Sequence, residues 1–153
     1  MSFITPIIDR TQEDVDRVEY LTKVILAQTN TPEEWTEFQS DLKGALNYSD
    51  LDRIENNLTE LATLFDVTLV SMSRDTIPRV PYFQNLLTNV NLIRSTVYHR
   101  HDTPTTPAMP LNVYEKINNI EHIILDAYEM WVKSQNSFMY CGDGTYMNNN
   151  ILL

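Results

Sequence analysis

The sequence predicts an all-α fold: a bundle of four long helices plus one short helix, with an extended C-terminal tail. Three observations carry this. Apolar residues recur at alternating three- and four-residue spacing in four separate stretches, which is the period of one helix face. Three helix starts are marked by capping residues, Thr11, Thr31 and Ser49. The single β-branched stretch, Val67 to Pro81, has no second strand pattern to pair with, so it reads as an extended connection closed by Pro78 and Pro81.

The first helix is expected from about Thr11 to Ala27. Thr11 caps it, and Asp14 stands three residues on, as in a variant capping box. Val15, Val18, Thr22 and Ile25 then follow at helical spacing, widened by Leu21 and Leu26. "TPEEWTEF" opens the short helix. Thr31 is its cap, Pro32 suits the first helical position and Glu34 completes a capping box. Trp35, Phe38 and Leu42 lie on one face, and Gly44 is placed to end the element.

Ser49 is the expected cap of the third helix, with Asp50 and Asp52 near the positive end of its dipole. Leu51, Ile54, Leu58, Leu61 and Phe65 form the clearest apolar seam in the chain. The fourth helix is expected from Tyr82 to Tyr98 through Phe83, Leu86, Val90, Ile93 and Val97. Pro104, Pro107 and Pro110 stiffen the linker after it. The last helix runs from about Leu111 to Lys133, with Val113, Ile117, Ile120, Ile124 and Trp131 on one side. Residues 1–136 are expected to form the helical domain and residues 137–153 an extended interaction tail. Phe138, Tyr140, Tyr146, Ile151, Leu152 and Leu153 are too apolar for a free end. They suit a partner's groove or sheet edge instead.

Composition removes several function classes. A hydrophobic content of 42% supports a real core and argues against wholesale disorder. A formal charge of -10 repels phosphate backbones and anionic membranes, so neither nucleic acid nor membrane is an expected partner. Cys141 is the only cysteine, which leaves neither an internal disulfide nor a cysteine-based zinc site. "MSFITPIIDR" lacks the pattern of a signal peptide, and synthesis in a reducing cytoplasm is expected. His99 and His101 would need Asp102 or His122 to complete a metal site. Cationic side chains at a helix C-terminus are the simpler reading. No catalytic residue, cofactor or metal is expected.

One pattern is written twice: Asp14-Val15-Asp16-Arg17-Val18-Glu19 and Asp50-Leu51-Asp52-Arg53-Ile54-Glu55. At about 100° per residue, the apolar pairs point inward and Glu19 and Glu55 fall on the shoulder of the apolar stripe. Glu121 takes the same shoulder on the last helix. Arg94 takes it on the fourth. The repeat therefore reads as a helix-packing device, with Arg94 expected to form a structural ion pair with Glu19, Glu55 or Glu121.

Three segments carry a resemblance that covers residues 4 to 134. They are Asp9-Arg10-Thr11 leading into "QEDVDRVEYL", Trp35 with Lys43 through Glu55, and Tyr114 through Glu121. In this order they resemble a helical family of phages and prophages of low-GC Gram-positive bacteria, whose genes sit among those for the distal tail. Many members carry Asn where this chain has Asp52. The resemblance implies a virion structural protein of the tail or baseplate. It would act by protein–protein docking in multiple symmetric copies, with other tail or baseplate proteins as partners, and it brings no catalytic residues. A host-surface binding module, or another virion part such as a neck or capsid-associated protein, is the alternative.

Overall fold

A computed structural model describes residues 2–74 and 78–140, and all regular structure among them is helical. The elements are α1 (Gln12–Leu26), α2 (Pro32–Phe38), α3 (Tyr48–Phe65), α4 (Val80–Thr96) and α5 (Tyr114–Tyr140). Four long helices and one short one are therefore present, as the spacing predicts.

Local chemistry sets the starts of the first two. The Thr11 side chain accepts from the Asp14 N–H while Asp14 accepts from the Thr11 N–H, and Thr31 and Glu34 repeat this around Pro32. The third start differs from expectation. The cap is Asn47, two residues before Ser49, and its N–H donates to the Asp50 carboxylate at 2.9 Å. Asp50 thereby sits in the first turn of α3, where the helix dipole favours a negative charge. The helix ends at Asp66, which adopts the left-handed conformation with φ 53°.

Gly44 does not end α2, which closes six residues earlier at Phe38. Its role is close approach. A Cβ at Gly44 would stand 2.1 Å from the Asp14 carbonyl oxygen and 2.6 Å from the Val15 nitrogen. The loop therefore lies backbone to backbone on the first turn of α1, a fit that only glycine allows.

The main core is drawn from α3, α4 and α5. Leu51, Ile54, Leu58 and Leu61 meet Leu86, Val90, Ile93, Ile117, Ile120, Ile123 and Ile124 there. Each fully buried aliphatic side chain contributes about 1.5–3 kcal/mol. In α1 only Leu21 is fully buried, and α1 packs chiefly on α2. Trp35, which shares the apolar face of α2 with Phe38, is 45% exposed.

The last helix corrects the expected boundary of the tail. α5 continues to Tyr140, seven residues beyond Lys133, so positions 137–140, including Phe138 and Tyr140, belong to a helix and not to an extended segment. "VKSQNSFMY" contains neither proline nor glycine to stop the helix. Tyr146, Ile151, Leu152 and Leu153 lie outside the described residues.

Residues 2–10 run as extended chain against α3 and α5. Phe3 stacks on Tyr128 of α5 with ring centroids 3.8 Å apart. The backbone groups of this segment need partners, and asparagine side chains supply several. Asn57 of α3 accepts from the Ile4 N–H at 2.8 Å and donates to the Ile4 carbonyl at 2.7 Å. Asn118 of α5 does the same to Arg10, at 3.3 and 2.9 Å. Asn89 of α4 brackets Val70 in the connection after α3, at 2.8 Å for each bond. A carboxamide carries one acceptor and a donor side by side, so each of these residues acts as a one-residue strand partner. Asn57 and Asn89 are buried. They hold two non-helical segments onto a helical bundle.

Candidate functional site

The densest polar constellation lies where the extended N-terminal segment crosses α3 and α5. The N-terminal segment brings Arg10, the first turn of α3 brings Asp50 and Arg53, and the middle of α5 brings Glu121. Arg10, Asp50 and Glu121 are buried, and Arg53 nearly so. The charges balance at two against two.

The geometry is closed. Arg10 Nη2 donates to Asp50 Oδ1 and to Glu121 Oε1, each at 2.9 Å. Arg53 Nη2 donates to the same two oxygens, at 2.6 and 2.7 Å, and its Nε donates to Glu121 Oε2 at 2.9 Å. The Ile7 N–H donates to Glu121 Oε2 at 2.7 Å. Asn47 supplies Asp50 Oδ2 from its backbone and its side chain. Every oxygen of the two carboxylates is thus occupied by a protein donor. Arg10 Nη1 donates to the Ile7 carbonyl at 2.6 Å, and Arg10 Nε has no hydrogen-bond partner among the described residues.

Burial alone would raise the pKa of Asp50. The Asn47 N–H, the Arg53 hydrogen bond and the charges of both arginines outweigh it, and the carboxyl is held below its usual range. The hydrogen bond to Glu121 is the largest influence raising the pKa of Arg53, so its charge is fixed. The junction is closed by its own donors and acceptors.

A second network lies on the other side of α3. Tyr82 donates to Glu55, and Arg74 reaches Glu55 at 3.0 Å and also pairs with Asp52. Burial, then the bond to Glu55, raises the pKa of the Tyr82 hydroxyl. A third sits between α4, the proline-rich linker and α5. Thr103 donates to Asp126 at 2.6 Å, and Arg100 and His122 flank the same carboxylate at 3.7 Å.

The expected ion pair of Arg94 with a shoulder glutamate is overturned. Arg94 Nε donates to the Pro104 carbonyl at 2.7 Å, and its Nη2 lies 3.5 Å from the Thr103 carbonyl. The guanidinium pins the linker to α4. The three glutamates have other partners: Glu19 meets Lys23 at the surface, Glu55 meets Arg74 and Tyr82, and Glu121 meets Arg10 and Arg53. Arg10 and Arg74 lie in non-helical segments, beyond the reach of helical spacing. The Asp9-Arg10-Thr11 segment was the one available signal for Arg10.

The two copies of the hexamer also part ways. In the first, Arg17 pairs with Glu37 of α2 at 2.6 Å on an exposed surface. In the second, Asp50 and Arg53 enter the buried junction. As for metal ligands, His99 Nδ1 lies 3.4 Å from the Val97 carbonyl, and His122 faces Asp126. Among the described residues no three His, Cys, Asp or Glu side chains are grouped to hold a metal ion. Among them, too, no helix is long and apolar enough to cross a membrane.

The three segments that carry the sequence resemblance converge here. Arg10 comes from the first, Asp50 and Arg53 from the second, and Asn118 and Glu121 from the third. No protein-family model matches the chain, and no curated protein or solved structure shows significant similarity to it.

Proposed function

We propose that this chain is a structural protein of the distal tail or baseplate of a phage, acting by docking to other virion proteins and without catalysis. One observation carries the reading. Arg10, Asp50, Arg53 and Glu121, one or two from each segment behind the resemblance, meet in a single buried junction whose carboxylates are all saturated by the chain itself. Such a junction fixes three parts of a scaffold; it offers nothing to a substrate. Recognition then falls to the surface and to residues 141–153, whose Tyr146, Ile151, Leu152 and Leu153 suit a partner's groove. Symmetric multiple copies follow from the way closed virion parts are built.

The 45% exposure of Trp35 favours a second reading, a module that contacts the host surface. Exposed aromatic faces are a common means of gripping sugar or protein. The two readings separate in one experiment. Particles assembled without the chain should have incomplete distal tails if it is a structural part. Complete tails that fail to adsorb to host cells would favour the host-binding module, and complete, fully adsorbing particles would refute both.

A further inference from the structure

The C-terminal half of α5 carries an apolar groove that the described residues leave open. Leu125, Tyr128 and Val132 recur along it at helical spacing, each only half-buried, and Asn136 stands at its far end. Phe3 lines it too. That ring lies flat on Tyr128 at 3.8 Å, and Asn57 holds the neighbouring Ile4 backbone by both its N–H and its carbonyl, so the groove is formed before anything enters it. Its volume is about 460 Å³. Neither Leu125 nor Val132 belongs to the main core or to the apolar side chains packed against it. The rim carries little charge, since Glu129 is paired with Arg100 and only Lys133 is added to that pair.

The chain that follows α5 is matched to this groove in reach and in character. Residues 141–153 continue directly from Tyr140, one turn beyond Asn136. They open with "CGDG", an Asp-Gly turn signal preceded by a second glycine, which lets the backbone reverse. From Gly144 the nine steps to Leu153 span about 30 Å when extended, and α5 from Tyr140 back to Leu125 spans about 22 Å. The segment therefore covers the whole groove. Residues 145–153, "TYMNNNILL", hold no charged side chain and present Tyr146, Ile151, Leu152 and Leu153. An uncharged, largely apolar strand loses least on entering an apolar groove. Tethering then decides between this segment and the same segment of a second copy. A short linker holds the chain's own segment at an effective concentration of about millimolar, whereas a second copy brings another net charge of -10 against the first.

We infer that residues 145–153 seat in the α5 groove of their own chain before assembly, running back along the helix. The contact goes beyond the docking role proposed above. A partner that takes Tyr146, Ile151, Leu152 and Leu153 must first displace them, so the docking segment is held back until that partner is met. The test uses the full chain carrying Cys141→Ser and Asn150→Cys, with a nitroxide on the introduced thiol. Six extended steps from Gly144 bring position 150 about 20 Å back along α5, to the level of Tyr128. The amide signals of Leu125, Tyr128 and Val132 should be lost and should return when the nitroxide is reduced. Adding Ile151→Asp and Leu152→Asp, both beyond α5, should restore most of each lost signal. A mixture of isotope-labelled chain without nitroxide and nitroxide-bearing chain without isotope should show no loss. Full signals at Leu125, Tyr128 and Val132, or losses unchanged by the two aspartates, would overturn the inference. So would losses in the mixture, since the occupant would then be a second copy. The assay needs no particle, so absence of the chain from virions would defeat the tail proposal and leave this result standing.

Discussion

Arg53 grips Glu121 with two roughly parallel hydrogen bonds, Nε to Oε2 at 2.9 Å and Nη2 to Oε1 at 2.7 Å, and so bolts α3 to α5. This fork is the strongest form of an arginine–carboxylate pair. Its burial makes it sensitive to the loss of one partner. Glu121→Ala would leave Arg10 and Arg53 facing each other with only Asp50 between them. The expected cost is about 3–5 kcal/mol of folding stability, read from urea unfolding. A variant within 1 kcal/mol of the parent, on the scale of an exposed pair, would show that the junction is solvated.

Gly44→Ala tests the backbone contact with α1. The added methyl would collide with the Asp14 carbonyl, which is main chain and cannot swing aside. A loss of about 1–3 kcal/mol is expected. Amide shifts should spread into Asp14 and Val15, and their absence would show that the loop does not rest on α1.

The asparagine clamps predict protection of the extended N-terminal segment. The amide of Ile4 should exchange with solvent slowly for a residue in non-helical chain, because Asn57 accepts its hydrogen. Asn57→Ala should speed that exchange and cost about 1–3 kcal/mol by leaving a partly buried donor unsatisfied. Equal exchange in parent and variant would place the Ile4 amide in water.

Asp50 sets the direction of the acid response. Its folded-state pKa lies below that of the unfolded chain, so the unfolded state binds more protons between the two values. The stability it contributes is complete above the unfolded value of about 3.9 and is lost as pH falls through the lower folded value. As pH falls below about 4, the parent should lose stability more steeply than Asp50→Asn, which has no proton to take up. Parallel pH profiles would remove Asp50 from the acid response.

The legible parts of this molecule are those whose causes are local. Thr11 with Asp14, and Thr31 with Pro32 and Glu34, announce their helices within four residues. Leu51, Ile54, Leu58 and Leu61 announce a buried face by spacing alone. The junction was not legible for the opposite reason. Arg10 meets Glu121 across 111 positions and Asn118 brackets Arg10 across 108, and no helical period connects them. The hexamer makes the same point within one pattern. Asp14 and Arg17 stay near the surface because α1 lies beside the core, whereas Asp50 and Arg53 are buried because α3 runs through it. Placement of the helices decides the fate of identical residues, and that placement is a long-range property. The end of α5 misled for a simpler reason: polar residues from Ser134 to Ser137 break the apolar period without breaking the helix.

Cross-linking mass spectrometry of intact, purified phage particles tests the central claim most directly. The account predicts that this chain is present in the tail, cross-linked to at least one different tail or baseplate protein. Absence of the chain from the particles, or links confined to residues within single copies of it, would contradict the account.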